Sequence, residues 1–214
     1  MAGSCCGQNV AFDGLSRAYK RVLLVVIAIN ASMFLFEGAA GFIADSQALK
    51  ADALDFLGDS VTYAISLAVI GAPLLIRARV ALLKGLSLAA MGLWVLISTG
   101  MAVWDEGVPL APVMGGVGFL ALLANLASVA LLMRYREGDS NVRSVWLCSR
   151  NDAIGNIAVV ITASGVWASQ SAWPDLIVAA GMALLFFSSA IQIVRQALAE
   201  QASLQAVEPL ADHT

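Results

Sequence analysis

Apolar residues fall in six blocks along the chain, divided by short polar breaks. The blocks run about Val22–Ala44, Ser46–Ile76, Val80–Trp104, Pro112–Met133, Val142–Ala168 and Trp173–Arg195. A helix rising roughly 1.5 Å per residue needs about 20 residues to cross about 30 Å of hydrocarbon, and every block reaches that length. The first block is apolar except for Asn30, Ser32 and Glu37, the third carries Lys84 near its start, and the fourth contains Asn125. The sixth opens on Trp173-Pro174, a proline well placed for a first helical turn. The pattern predicts an all-α, polytopic membrane protein: a flexible tail over residues 1–16, a six-helix transmembrane bundle over 17–196, and a short tail over 197–214. The last segment is too short to fold as a domain.

Blocks two and five break the rule, because the first half of each is polar. Block two begins Ala48-Leu-Lys-Ala-Asp-Ala-Leu-Asp-Phe-Leu-Gly-Asp-Ser60 before turning apolar. At about 100° per residue, Asp52, Asp55 and Asp59 share one helix face within about 60°. A single ionised Asp at the centre of a membrane helix costs about 2.5–3.5 kcal/mol. Three on one stripe therefore need a counter-charge, protons or a metal ion. In block five, Val145-Trp-Leu-Cys-Ser-Arg-Asn-Asp-Ala-Ile-Gly-Asn156 places Cys148, Asp152 and Asn156 one turn apart on one face.

Composition agrees with the pattern. Of 214 residues, 60% are hydrophobic and 13% charged, and the mean hydropathy is +0.83, which excludes an ordinary soluble domain. No face gathers Lys and Arg with aromatics, so no nucleic-acid partner is expected. A signal peptide is not expected either, since the apolar run after Arg21 is too long for one and lacks a small-residue cleavage site. Cys5, Cys6 and Cys148 make no disulfide framework.

The distribution of charge says more than its sum of -3. Arg17, Lys20 and Arg21 precede span one; Arg77, Arg79 and Lys84 flank the link from span two to span three. Arg134, Arg136 and Arg143 lie between spans four and five, and Arg195 ends span six. Lys50, Asp45, Asp105, Glu106 and Asp175 fall on the other face. The excess of Lys and Arg predicts a cytoplasmic location for their side, with both termini inside. Depth follows from the same landmarks. Asp59 is nine residues from Lys50 and Asp152 nine from Arg143, which sets both roughly 13 Å into the membrane from opposite sides. Antiparallel spans two and five would bring Asp55, Asp59, Cys148 and Asp152 to one level.

The series Asn30…Glu37…Gly41…Ser46-x-Ala48-Leu49-x-Ala51-Asp52-Ala53-x-Asp55-x-x-x-Asp59 resembles the first two spans of the cation diffusion facilitators. The resemblance implies export of divalent metal from the cytosol, usually in exchange for protons. It makes Asp55 and Asp59 the metal-binding pair of span two, and it places Cys148 at the histidine position, with Asp152 the aspartate, of the His-x-x-x-Asp motif of span five. The chain departs from that family in having Cys148 for His, no His before His213, no His-rich loop between spans four and five, and no cytoplasmic C-terminal domain. A homodimer, which that domain often clasps in the family, would here rest on membrane helices. The expected setting is a bacterial inner membrane, with the lipid bilayer, the metal ion and protons as partners.

Three carboxylates and a thiolate can surround an ion tetrahedrally. Zn²⁺ accepts that set, and the thiolate also suits Cd²⁺ and argues against Mg²⁺ or Ca²⁺, which prefer all-oxygen shells. The ion is cargo, and no organic cofactor is expected. Three acids and a thiol this close cannot all ionise without metal, so metal and protons would displace each other. Every feature also has a plainer reading. Asp55 and Asp59 could pair with a neighbouring helix in a polar network. Asp52 could cap or solvate the start of span two, and Cys148 could be a small apolar filler. Asn156 fits a supporting hydrogen bond better than a ligand. Glu37 could serve a proton path or a structural pairing, and Arg150, about 160° off the Cys148 stripe, needs only an ion pair or a snorkelling role. Cys5-Cys6 is a poor chelate for incoming metal.

Small residues on span three (Gly85, Ala89, Ala90, Gly92) allow close packing against a second copy or within the bundle. The alternative to a transporter is a membrane sensor or accessory subunit that holds metal without moving it. An organic-solute transporter would want an aromatic-lined cavity, whereas the Trp residues sit mostly near span ends. No nucleophile and base flank a substrate groove, so an enzyme is not expected.

Overall fold

The computed structural model describes residues 16–68, 74–104, 107–136 and 140–211. Cys5, Cys6, Asp105 and Glu106 lie outside them, as does nearly all of the expected N-terminal tail. Six α-helices carry the described chain: α1 (Arg17–Ile43), α2 (Gln47–Ala68), α3 (Leu74–Ala102), α4 (Ala111–Leu132), α5 (Ser140–Ser169) and α6 (Trp173–Ala211). A single 3₁₀ turn, Met133–Tyr135, follows α4. Each expected span has its helix. The main difference lies in α6, which continues past Arg195 to Ala211, where Ala, Leu, Glu and Gln favour helix strongly.

Five of the helices, or long windows within them, are apolar enough to cross a membrane by length and composition among the described residues. The exception is α2, which carries Lys50, Asp52, Asp55 and Asp59 within its first 13 residues. Its sides explain how it fits. It packs against α1, α3, α5 and α6, so its acids meet protein rather than hydrocarbon. The bundle buries a set of polar side chains among apolar clusters and turns many large apolar side chains outward. Asn30, Glu37, Asp52, Asn125, Asn156 and Asp175 are buried, while Leu35, Phe42, Ile43, Leu83, Leu184 and Leu185 are exposed. So much apolar surface turned outward suits lipid and not water.

The helices alternate in direction. One apolar cluster joins Tyr19 and Leu23 at the start of α1 with Tyr63 late in α2, Leu132 at the end of α4 and Val145 early in α5. A second joins Ala51 early in α2 with Val95 late in α3 and Ala179 early in α6. One end of the bundle therefore holds Arg17, Lys20, Arg21, Lys84, Arg134 and Arg195, and the other holds Asp45, Lys50 and Asp175. The helices pair most closely as α1 with α2, α4 with α5 and α3 with α6. Glycines on α3 face α6: a Cβ added at Gly92 would stand 3.1 Å from the Phe186 Cβ and 3.3 Å from the Ala183 carbonyl. Gly85 is closed in the same way by Val194 and Ile193. These two members of the small-residue set thus serve packing within the bundle.

A tight turn sets the register of α2 against α1. Asp45 adopts φ 52°, and its N–H reaches the Phe42 carbonyl at 3.4 Å while the Ser46 N–H reaches that of Gly41 at 3.0 Å. This is a Schellman closure with Asp in the left-handed position usually given to Gly. Ser46 then caps α2, accepting from the Leu49 N–H at 3.1 Å.

Candidate metal site

Two buried fastenings, one at the start of α2 and one late in it, determine where its acids go. At its N-terminus α2 is held by α6: Asp175, fully buried, accepts from Ser46 Oγ at 2.6 Å, from the Gln47 N–H at 2.6 Å and from the Ala48 N–H at 3.1 Å. A carboxylate there satisfies orphan amides and faces the positive end of the helix dipole. Late in α2 the fastening is to α5. The Tyr63 hydroxyl donates to Asp59 Oδ2, lies 3.2 Å from Ser149 Oγ and 3.4 Å from the Val145 carbonyl.

Between these two fastenings lies a cavity of about 390 Å³ lined by residues of α2, α3, α5 and α6. Asp52, Asp55 and Asp59 enter it from α2, Asp152 from α5 and Lys84 from α3. Asp152 stands within hydrogen-bonding reach of both Asp55 and Asp59. Lys84 lies close enough to act on the charge of Asp59. The α6 wall is mainly apolar, with Met182, Leu185 and Phe186. An acidic patch facing a low-dielectric wall concentrates field on a small cation.

Three of the four residues expected to bind metal, Asp55, Asp59 and Asp152, thus share one chamber. The Cys148 side chain lies outside the described residues. Among the described residues, no three Cys, His, Asp or Glu side chains draw in to metal-ligand spacing. Asp59 instead accepts a hydrogen bond from Tyr63.

A second polar layer lies beside the chamber. Asp52 is neither a cap nor solvated: it is 3% exposed and within hydrogen-bonding reach of Glu37 on α1. With its NH₂ turned to Asp52, the Asn156 amide donates to Oδ1 at 3.0 Å and accepts from Asn125 Nδ2 at 2.8 Å. Four helices therefore meet through Glu37, Asp52, Asn156 and Asn125. Glu37 is fully buried, and among the described residues neither of its oxygens receives a hydrogen-bond donor. So the expected supporting role fits Asn156, and Glu37 faces an acid, Asp52, rather than a base. Arg150 is exposed and stacks over Trp146, its guanidinium 5.4 Å from the ring centroid, which accounts for a cation on the helix surface.

Sequence reasoning passed over Tyr63 and Ser149 and treated Asp175 only as a charge on one face. Tyr63 follows Asp59 by one turn on the same stripe, a signal that was available. Asp175 was not recoverable in the same way, because its partners on α2 lie more than a hundred residues away.

Comparison with known proteins bears on the same helices. Residues 77–200, more than half of the chain, match the model of the cation efflux transmembrane domain. That match begins after α2. The zinc transporter ZitB of Escherichia coli (strain K12) is 28% identical over 194 residues, covering 84% of this chain. The zinc transporter ZitB of Shigella flexneri gives the same figures. The chain spans 62% of the length of these relatives.

Proposed function

Because the chain belongs to the cation efflux transmembrane domain family, we propose that it exports a divalent metal cation, Zn²⁺ or Cd²⁺, from the cytosol in exchange for protons. The observation that carries this reading is the meeting of Asp55, Asp59 and Asp152 in one chamber between α2 and α5. Cys148, one turn before Asp152 on α5, supplies the fourth donor. The relatives' description as zinc transporters favours Zn²⁺ as cargo, and a thiolate beside carboxylates suits it.

The basic end of the bundle faces the cytosol. The chamber's lining from Asp52 to Lys84 and Ile193, towards that end, supports reading this conformation as inward-facing. An arriving ion sheds water and replaces it with carboxylate oxygens. The acids, which cannot all stay ionised together when the site is empty, lose their protons to the cytosolic water as the ion binds. After the bundle opens to the other side, incoming protons displace the ion. The protein works in the bacterial inner membrane, as a homodimer through lipid-facing helix surfaces, since the Gly85–Gly92 face of α3 is already filled by α6.

The test is uptake of radioactive zinc into everted vesicles under an imposed pH gradient, with titration calorimetry on the purified protein. Gradient-dependent flux, abolished in Asp152→Ala, is expected. Stoichiometric binding without flux would make the protein a metal-holding accessory subunit. Flux indifferent to the gradient would remove the proton exchange. Unchanged affinity in both Cys148→Ser and Asp152→Ala would move the site elsewhere.

A further inference from the structure

Asp59 enters the chamber with one oxygen already taken. The ring of Tyr63 is completely buried in the apolar cluster with Leu23, Val26, Leu132 and Val145, so its hydroxyl has little freedom. That hydroxyl donates its one hydrogen to Asp59 Oδ2. Ser149, 1% exposed, stands 3.2 Å from the phenol oxygen and can donate to it. The Val145 carbonyl lies 3.4 Å away, on the same side as the α5 backbone.

We propose that Tyr63 is a specificity-determining positioning residue: by holding Oδ2 of Asp59 it leaves a single oxygen for the cargo. The inference rests on the reading of Asp59 as a metal ligand. A carboxylate restricted to one oxygen suits a small four-coordinate ion such as Zn²⁺. Larger or harder ions complete shells of six or more oxygens and gain from carboxylates that bind through both. The phenol thus imposes a low coordination number without touching the ion. It also orients Asp59, since a carboxylate fixed through one oxygen points the other into the chamber towards Asp152. Ser149 follows Cys148 directly on α5, so one hydroxyl pair couples the aim of Asp59 to the helix that carries Cys148 and Asp152.

The experiment titrates the full chain in detergent with Zn²⁺, Cd²⁺ and Mn²⁺, comparing the parent with Tyr63→Phe, Ser149→Ala and Asp59→Ala. Tyr63→Phe keeps the ring and removes only the donor. The preference for Zn²⁺ over Mn²⁺ is expected to fall by about tenfold, the scale of one hydrogen bond to a charged group, with Cd²⁺ moving in the same direction. Ser149→Ala, which leaves the Tyr63–Asp59 bond in place, should shift the ratio the same way by less. Equal weakening for all three ions would be a purely structural effect and would overturn the proposal, as would an unchanged ratio. Should Tyr63→Phe fail to fold, the ratio in Ser149→Ala decides. Parent-like affinities in Asp59→Ala would instead show that the ion site itself is misplaced.

Discussion

Replacing Asp175 with Ala removes the fastening that holds α2 to α6. Three donors lose their acceptor at once: Ser46 Oγ at 2.6 Å, the Gln47 N–H at 2.6 Å and the Ala48 N–H at 3.1 Å. A hydrogen bond to a charged group contributes about 1.5–3 kcal/mol, and contributions around one acceptor do not add. Ser46 retains its cap on Leu49, which limits the loss. We expect Asp175→Ala to cost about 3 kcal/mol, and Asp175→Asn, which keeps an acceptor but loses the charge facing the helix dipole, about 1–2 kcal/mol. Ser46→Ala should cost about 1 kcal/mol as a lost cap. Reversible unfolding of the purified protein in mixed micelles, followed by fluorescence, measures each variant. The double variant supplies the coupling, expected to be about 1 kcal/mol or more because the two side chains share a bond. A loss under about 0.5 kcal/mol in Asp175→Ala, or strict additivity with Ser46→Ala, would refute the idea that this buried carboxylate anchors α2.

Saturating Zn²⁺ at a hundred times its dissociation constant should raise the unfolding free energy by about 2.7 kcal/mol by mass action. The gain should vanish in Asp55→Asn combined with Asp59→Asn, and its persistence there would place the ion elsewhere. Glu37→Gln gives the facing acids a donor, so a rise of about 1 kcal/mol in stability is expected; a fall in the same unfolding assay would contradict the Glu37–Asp52 pairing. Gly92→Val forces branched carbons against Phe186 and the Ala183 carbonyl and should cost about 1–3 kcal/mol, read as a lower unfolding midpoint. Asn156→Leu strips Asp52 and Asn125 of their shared partner, and about 1–3 kcal/mol should be lost for the buried groups left unpaired.

Much of the site was legible because membrane helices obey one dominant rule. Acids at helical spacing in an otherwise apolar block must turn inward, and that places Asp55, Asp59 and Asp152 without coordinates. Depth counted from Lys50 and Arg143 brought α2 and α5 to a common level for the same reason. Asp52 was harder to read. Near the start of α2 the sequence offers no way to tell a capping carboxylate from a buried one, since the answer depends on Glu37 of α1 and Asn156 of α5. The cap comes from Ser46, backed by Asp175, whose role is fixed only when α6 packs beside α2. The length of α6 was also missed, because the hydropathy that defines a span stops where helix propensity carries on.

Close packing of α3 with α6 through Gly85 and Gly92 has a mechanical corollary. Those two helices are sealed along their length and behave as one slab, while α1, α2, α4 and α5 interlock through the Glu37–Asp52–Asn156–Asn125 tie. The acid-lined chamber runs along the border between the two pieces. Asp175 rides on the slab yet grips the first amides of α2, so that border is stitched at the Asp175 end. A rotation of the slab about that stitched end would carry Lys84 and Ile193 furthest and the first turns of α2 least.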